Sequence, residues 1–346
     1  MASLQGSDLR SLIGHINTAT RVSVAVHTHP DGDALGAATG LATFLMARRS
    51  DLQVRILLPD PAPITLSFVI RGVRDIILTA GTDEEAIREW TASSDLVFCV
   101  DCNGFFRTES LREPLEASTA PKILIDHHIG PDRDSFDLVF SETEISSASE
   151  LLYQILTAIN PGADLPMATA TALMIGMTTD TNNFANSVFP STLAMASDLL
   201  RQGVDRDFIV DAVFNSYRLS RLKALGHLLS EKFTYIHGGG AYMILTLEEQ
   251  DRFDLKEGDT EGFVNIPLSV SHIRLSVFLK ETKEGHFRVS VRSKKGTSAN
   301  ALAKEAFHGG GHENAAGGKL WYPADIPTPA DAAAYVEEAV IKALAV

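Results

Sequence analysis

Short runs of apolar, β-branched residues alternate with amphipathic stretches through the first part of the chain. Val22 to Val26 (VSVAV) predicts a strand, and the Ala- and Leu-rich stretch from Leu35 to Arg48 predicts the helix after it. QVRILL, DIILTA, LVFCV and KILI predict further strands, each apolar nearly throughout, as strands are when helices cover both faces of a parallel sheet. An open, doubly wound α/β domain with a mainly parallel sheet is expected. From about Ser146 the spacing turns helical in SSASELLYQILTAI, PMATATALMIGM, STLAMASDLLRQG and the stretch from Asp205 to Glu231, several of them opened by Ser or Thr at cap positions. Strand pattern returns in FTYIHGGGAYMILTL, whose glycines mark a hairpin turn, and again at Ile273 to Lys280 and His286 to Arg292. A helix opens near Ser298, and an Ala-rich one runs from about Ala330. The expected organisation is an α/β domain over 1–190, a helical linker over 191–232 and a smaller α/β domain over 233–346.

Composition adds limits. With 346 residues, 45% apolar and 21% charged, the chain has ample length for a buried core. No apolar run reaches the ~18 residues of a membrane span, and the start carries no secretory pattern, so a cytoplasmic protein without a membrane partner is expected. The net charge of −14 argues against adhesion to long nucleic acid. That charge is uneven, at −11 over 1–232 and −3 over 233–346. Arg274 to Lys304 holds eight basic residues against Glu281 and Glu284. A solvated strand face accounts for Lys280 and Lys283 among them. Cys99 and Cys102 are the two cysteines. Strand alternation would send residues three apart to opposite faces, and no second pair completes a zinc site, so both are expected as half-buried strand residues.

The candidate chemistry lies just beyond strands. VSVAVHTHPDGDALG presents His27, His29, Asp31 and Asp33, LVFCV ends in Asp101, and KILI ends in Asp126, His127 and His128. In open parallel sheets, ligands bind beyond the carboxyl ends of the strands. A helix cap explains Asp31 or Asp33 but neither histidine. Like charges converging on one crevice repel unless a cation joins them. Asp180, where an apolar helical run breaks into TTDTNN, is a further candidate, because the helix dipole disfavours a carboxylate there. Carboxylates and imidazoles without thiolates suit Mn²⁺ or Mg²⁺, with Zn²⁺ also open, and the set is large enough for two ions sharing a carboxylate. Near the C-terminus, FHGGGHENAAGG offers Gly309, Gly310 and Gly311, whose backbone N–H groups could wrap an anion, beside His312 and Asn314. Arg292, at a strand end, suits a bidentate phosphate contact.

Together H-x-x-x-D-x-D, a strand-end Asp, D-H-H, T-D-T and G-G-G-H, in that order, resemble the DHH phosphoesterases with a DHHA1 domain, over nearly the whole chain. The nearest subgroup is similar to bifunctional nanoRNases that also remove the 3′ phosphate of 3′-phosphoadenosine 5′-phosphate (pAp). The resemblance implies a manganese-dependent site in the first domain and a second domain that grips substrate across a cleft. It implies that His27, Asp31 and Asp101 hold one cation and Asp33, Asp101, His127 and Asp180 the other, with Asp101 shared and an activated hydroxide attacking phosphorus. It gives Asp126 an orienting role and turns His128 toward the scissile phosphate. Arg107, Arg292, Gly309 to Gly311, His312 and Asn314 would then bind substrate. Relatives carry Gly after T-D-T, then an aromatic followed by Arg; here Asn182 follows, and Ala185 comes after Phe184. The implied substrates are short RNA oligonucleotides and small nucleotides, and a homodimer is allowed. The alternatives are a phosphodiesterase for cyclic or linear dinucleotides and, in another class, a noncatalytic nucleotide sensor.

Overall fold

The computed structural model describes residues 6–311 and 313–345. The chain divides into two compact units, one ending at Ser216 and the other beginning at Tyr217. In the first unit β1 (Arg21–Ala25), β2 (Gln53–Leu58), β3 (Ile77–Thr79), β4 (Leu96–Val100), β5 (Lys122–Asp126) and β6 (Leu138–Ser141) form one sheet in the order β3-β2-β1-β4-β5-β6. Every pairing is parallel. The helices are α1 (Gly6–Thr18), α2 (Gly32–Arg48), α3 (Glu84–Ser93), α4 (Arg112–Ala117), α5 (Ala148–Ile159), α6 (Met167–Asp180), α7 (Pro190–Arg201) and α8 (Arg206–Phe214).

Both sheet faces are covered, which is why the strands read as unbroken apolar runs. Val22, Val24, Phe98 and Ile123 join a core with residues of α1, α2, α5 and α6. Ala25, Leu57, Val97 and Leu124 join another with Ile87 and Trp90 of α3 and Leu115 of α4. In this sheet the short edge strand β6, mostly half-buried, is the one that apolar patterning does not reveal. Strand order reverses between β1 and β4, so a crevice is expected at their carboxyl ends.

The cysteine expectation is corrected. Cys99 and Cys102 are fully buried in the same core, as free thiols. Strand β4 ends at Val100, and Asp101 takes a left-handed φ of 54°, which resets the alternation and returns Cys102 to the side of Cys99. The Cys102 thiol donates to the Gly104 carbonyl (3.0 Å).

Helices α2 and α6 approach unusually closely. A Cβ on Gly36 would come within 2.6 Å of the Ala172 carbonyl oxygen, so only glycine permits this contact. The approach brings the end of α6, and with it Asp180, beside the start of α2.

The second unit contains α9 (Leu219–His227), β7 (Thr234–Ile236), β8 (Gly240–Leu245), α10 (Leu247–Arg252), β9 (Leu275–Glu281), β10 (His286–Ser293), α11 (Ala299–Ala306), β11 (Gly310–Gly311), β12 (Ala315–Trp321) and α12 (Ala332–Leu344). Its sheet runs β11-β12-β10-β9-β8-β7 and is antiparallel apart from the β8–β9 pair. One face packs Val277, Leu279, Val289 and Val291 against Leu302, Phe307, Val336 and Val340. The β7–β8 hairpin turns at Gly238 and Gly239, both at positive φ. Helical pattern over 205–231 resolves into α8 and α9, interrupted at residues 215–218. Among the described residues no helix is long and apolar enough to cross a membrane.

Candidate metal centre

Three neighbouring strands, β1, β4 and β5, deliver the candidate groups to one end of the first sheet. After β1, His27 Nδ1 donates to the Thr28 carbonyl (2.7 Å), since a carbonyl oxygen can only accept. That fixes the tautomer of the neutral ring and turns Nε2 inward, 3.4 Å from Asp101 Oδ2 and 3.8 Å from Asp31 Oδ1. Asp31 also caps α2, accepting from the backbone nitrogens of Asp33 (3.0 Å) and Ala34 (3.1 Å). After β4, Asp101 is 2% exposed and its backbone nitrogen donates to the Ile125 carbonyl (3.0 Å). Its Oδ2 faces His27, and its Oδ1 faces His127 Nε2 at 3.4 Å.

At the end of β5, buried Asp126 holds His128 twice. Oδ1 lies 2.7 Å from His128 Nδ1, and Oδ2 accepts from the His128 backbone nitrogen at 2.9 Å. Asp180 Oδ2 lies 3.5 Å from His127 Nε2. Asp33 is buried at the N-terminus of α5, where its oxygens accept from the backbone nitrogens of Ala148 (2.6 Å) and Ser149 (3.0 Å). The close α2–α6 contact therefore joins a carboxylate from each helix to the strand-end groups.

The charge balance is that of a cation site. Burial works against the charged His27 ring, but Asp101 and Asp31 outweigh it and raise its pKa to about 11. His127, opposed by burial and favoured by Asp101, rises to about 10. Burial, with Asp101 and Asp31, raises Asp180 to about 7. Burial and the nearby carboxylates of Asp101 and Asp180 push Asp33 well up. Burial opposes the Asp101 charge, but His127 and His27 hold that carboxyl far below its usual range. Protons on these groups can give way to divalent cations, because metal ligands must be deprotonated.

The donor set fits such ions. Ligand atoms lie within 4.8 Å of one another in three groups: His27, Asp31 and Asp101; Asp33, His127 and Asp180; and Asp101, His127 and His128. Asp101 Oδ1 is buried without a hydrogen-bond partner among the described residues, although it faces imidazole nitrogen. A carboxylate oxygen left in that state costs free energy that a cation would recover.

Two features escaped the sequence reading. Asp60, just past β2, accepts from Thr28 Oγ1 and from the His29 backbone nitrogen (2.7 Å), clamping the peptide whose carbonyl sets the His27 tautomer. His29 itself sits at φ 53°, with its ring toward Asp60. The signal was present, since Asp60 follows an apolar strand run much as Asp101 does, but proline separates it from the run. Beyond Asp180, Asn182, Asn183 and Phe184 all take left-handed φ, and Arg206 lies over the Phe184 ring (5.7 Å) while donating to Asn183 Oδ1 (2.6 Å). Three such non-glycine residues in succession mark a strained turn that neighbouring contacts hold.

The remaining candidates are distributed differently. Arg107 sits in a short helical turn, and its backbone carbonyl accepts from the Thr28 nitrogen (2.8 Å), so it supports the His27 loop. Arg292, in β10, donates to the carbonyls of Val291 (3.0 Å) and Ala316 (3.3 Å), and burial lowers its pKa. Gly309 donates to the Ala303 carbonyl (3.0 Å), while Gly310 and Gly311 form β11 against β12. The expected open anion loop is thus in part a tightly packed edge strand. The Asn314 amide donates to Ser293 Oγ (2.9 Å), the Lys294 carbonyl (3.1 Å) and the Thr297 carbonyl (3.2 Å), which ties down the turn after β10. His312 lies outside the described residues.

Comparison with known proteins supplies independent context. Residues 21–177 match the DHH family, N-terminal domain, and residues 239–338 match the DHHA1 domain. The chain is 26% identical over 311 residues to the probable bifunctional oligoribonuclease and PAP phosphatase of Streptococcus mutans, covering 89% of this chain and 92% of that one. It is 28% identical over 304 residues to the bifunctional oligoribonuclease and PAP phosphatase of Thermus thermophilus, covering 86% and 84%. Among solved structures, an exopolyphosphatase-related protein from Bacteroides fragilis superposes with a TM-score of 0.91 at 34% identity, over 98% of this chain and 97% of that one.

Proposed function

Because the chain belongs to the DHH family, with a DHHA1 domain in its second half, we propose that it is a metal-dependent phosphoesterase that hydrolyses short oligoribonucleotides to nucleoside monophosphates and pAp to AMP, in the cytoplasm. The observation that carries this reading is Asp101, a buried carboxylate with one oxygen facing His27 and the other, unbonded, facing His127. Asp101 would on this reading be shared by two cations. In this reading His27, Asp31 and Asp101 hold one, and Asp33, Asp101, His127 and Asp180 hold the other. Oxygen and imidazole donors favour Mn²⁺, with Mg²⁺ second. Such a pair of ions, when bound, supplies a deprotonated water near neutral pH and charge to stabilise phosphoryl oxygens.

The protein groups around them have separate tasks. Asp126 fixes the His128 ring through Nδ1, so that Nε2 can hold a proton against a phosphoryl or leaving oxygen. Asp33, gripped by the start of α5, cannot swing away from Asp180 and His127. Arg292, half-buried and bonded only to backbone carbonyls among the described residues, is the guanidinium we assign to a substrate phosphate. The relatives named as oligoribonuclease and PAP phosphatase align over most of their length, which supports a small substrate.

Purified protein with Mn²⁺ is expected to release mononucleotides from RNA of about two to four residues and phosphate from pAp. If both substrates stay intact, the assignment is wrong. Turnover of cyclic di-AMP in preference to linear pApA would redirect it to a dinucleotide phosphodiesterase, and nucleotide binding without any hydrolysis would indicate a sensor.

A further inference from the structure

The exposed part of the second sheet carries an arrangement that folding alone does not favour. Arg288 of β10 is paired directly with Lys319 of β12 on one side and with Lys280 of β9 on the other. Directly paired residues of an antiparallel sheet share a face, so three cations stand abreast. Like charges in that position destabilise a sheet. Glu257 is close to two of them, 3.1 Å from Lys280 and 3.4 Å from Arg288, and it is itself largely exposed. Lys280 is not the solvated lysine that strand alternation predicts, because its side chain is only 17% exposed.

An aromatic pair adjoins this row. His286 pairs with Trp321 across the same two strands, their rings 4.4 Å apart, and the Lys319 ammonium lies 5.6 Å from the Trp321 ring centre. Trp321 is 36% exposed. Burial and the Lys319 charge keep His286 toward its neutral form, which favours stacking over further repulsion. Along the same face toward Arg292, Ser290 is paired with Gly317 of β12 on one side, which leaves small residues there, and with Phe278 of β9 on the other, where Phe263 packs over the sheet. Arg288 and Arg292 are four residues apart on β10, about 14 Å at ~3.4 Å per residue.

We propose that this face is a binding track for the body of a single-stranded oligoribonucleotide, with Arg288, Lys319 and Lys280 meeting its phosphodiesters and Trp321, backed by His286, stacking on a base. The assignment rests on the reading of this chain as an oligoribonuclease, and it adds a site separate from the metal centre. Cations alone would accept any polyanion, inorganic polyphosphate included. The tryptophan and imidazole beside them select a ligand with flat bases. The track explains the like-charge crowding as a stability cost retained for binding.

The test is equilibrium binding by fluorescence anisotropy of fluorescein-labelled oligoadenylates, two and seven residues long, to the full-length protein in EDTA. Wild type is expected to bind the heptamer more tightly than the dimer. Lys319→Thr and Trp321→Ala are each expected to shrink that preference about tenfold. Lys319→Thr should also reduce the salt dependence of heptamer binding by about one counterion. Linear polyphosphate should compete less well than heptaadenylate against wild type, and that gap should close in Trp321→Ala. The melting temperature of Lys319→Thr should equal or exceed that of wild type, because a like-charge contact has been removed. Equal weakening of dimer and heptamer, unchanged affinity in both variants, or a lower melting temperature in Lys319→Thr would each overturn the proposal. Binding in EDTA needs no turnover. A protein that hydrolyses no RNA yet binds as expected refutes only the proposed activity, whereas one that hydrolyses short RNA yet shows no length preference refutes only the track.

Discussion

The two sheets place their chemistry in different parts of the same kind of element. In the first, helices cover both faces, so the polar groups lie where the strands stop: His27 after β1, Asp101 after β4, and Asp126 to His128 at the end of β5. In the second, helices α11 and α12 cover one face, Leu228, Phe263 and Val264 cover the β8 and β9 part of the other, and the charged groups Lys280, Arg288 and Lys319 stand on the strands beyond that cover. A strand end converges with its neighbours on one small volume, which suits ions. An open face spreads its groups at strand spacing, which suits an extended polyanion.

Removing the shared carboxylate should have the largest effect. Asp101→Asn is expected to lower kcat by at least roughly a hundred- to a thousandfold, the range for loss of one group that stabilises transition-state charge. Isothermal titration with Mn²⁺ should at the same time show weakened binding, since both imidazole pairs lose their common partner. An Asp101→Asn enzyme that keeps full activity would leave the first sheet without the convergent centre that distinguishes it from the second.

Next in size comes the clamp at the end of β2. Asp60→Ala frees the Thr28–His29 peptide, and with it the carbonyl that orients His27. A loss of about ten- to a hundredfold in Mn²⁺ affinity or activity is expected, as for other partners that orient a metal ligand. Asp60→Asn should recover much of it, because the amide oxygen can still accept the His29 N–H. A merely structural role would lower the melting temperature without this difference in Mn²⁺ affinity.

The third prediction concerns pH. The folded values of His27 and His127, about 11 and about 10, lie above the ordinary 6.5. Their stabilisation is therefore complete below pH 6.5 and is lost as pH rises through those folded values. Asp180, raised from 3.8 to about 7, follows the same sign in a lower window. The metal-free protein should thus melt at progressively lower temperature between about pH 7 and about pH 10. Because Mn²⁺ competes with those protons, the rise in melting temperature it causes should grow over the same interval. A rise independent of pH would mean that the ions bind elsewhere.

The contrast between the sheets also explains what was legible beforehand. LVFCV followed by Asp101 is visible because a charged residue ends an apolar run, and His27, Asp31, Asp33, His127 and Asp180 stand out for similar reasons. Arg288 was not singled out, because charged and apolar residues alternate in any half-exposed strand. Strand β12 went unread since AAGGKLW is poor in strand-forming residues, and its role rests on close backbone packing. The thiol pair was misread because alternation fails where Asp101 adopts left-handed backbone. That same turn aims its carboxylate between two imidazoles.

The smallest effect expected belongs to the glycines of the second unit, and it separates packing from recognition. A Cβ on Gly309 would run into the Gly317 carbonyl, so Gly309→Ala must displace β12 and should cost about 1 to 3 kcal/mol. A Cβ on Gly310 would meet only Asn300 Oδ1 at 3.7 Å and Lys304 Cε at 3.8 Å, ordinary contacts at a backbone angle open to any residue. Gly310→Ala should therefore leave stability within about 0.5 kcal/mol of wild type, read from urea unfolding. Its KM for pAp then reports on the loop directly. A several-fold rise at unchanged stability means that substrate approaches this backbone too closely for a methyl group. An unchanged KM means that β11 serves the sheet, leaving the recognition of phosphate in this unit to side chains such as Arg292.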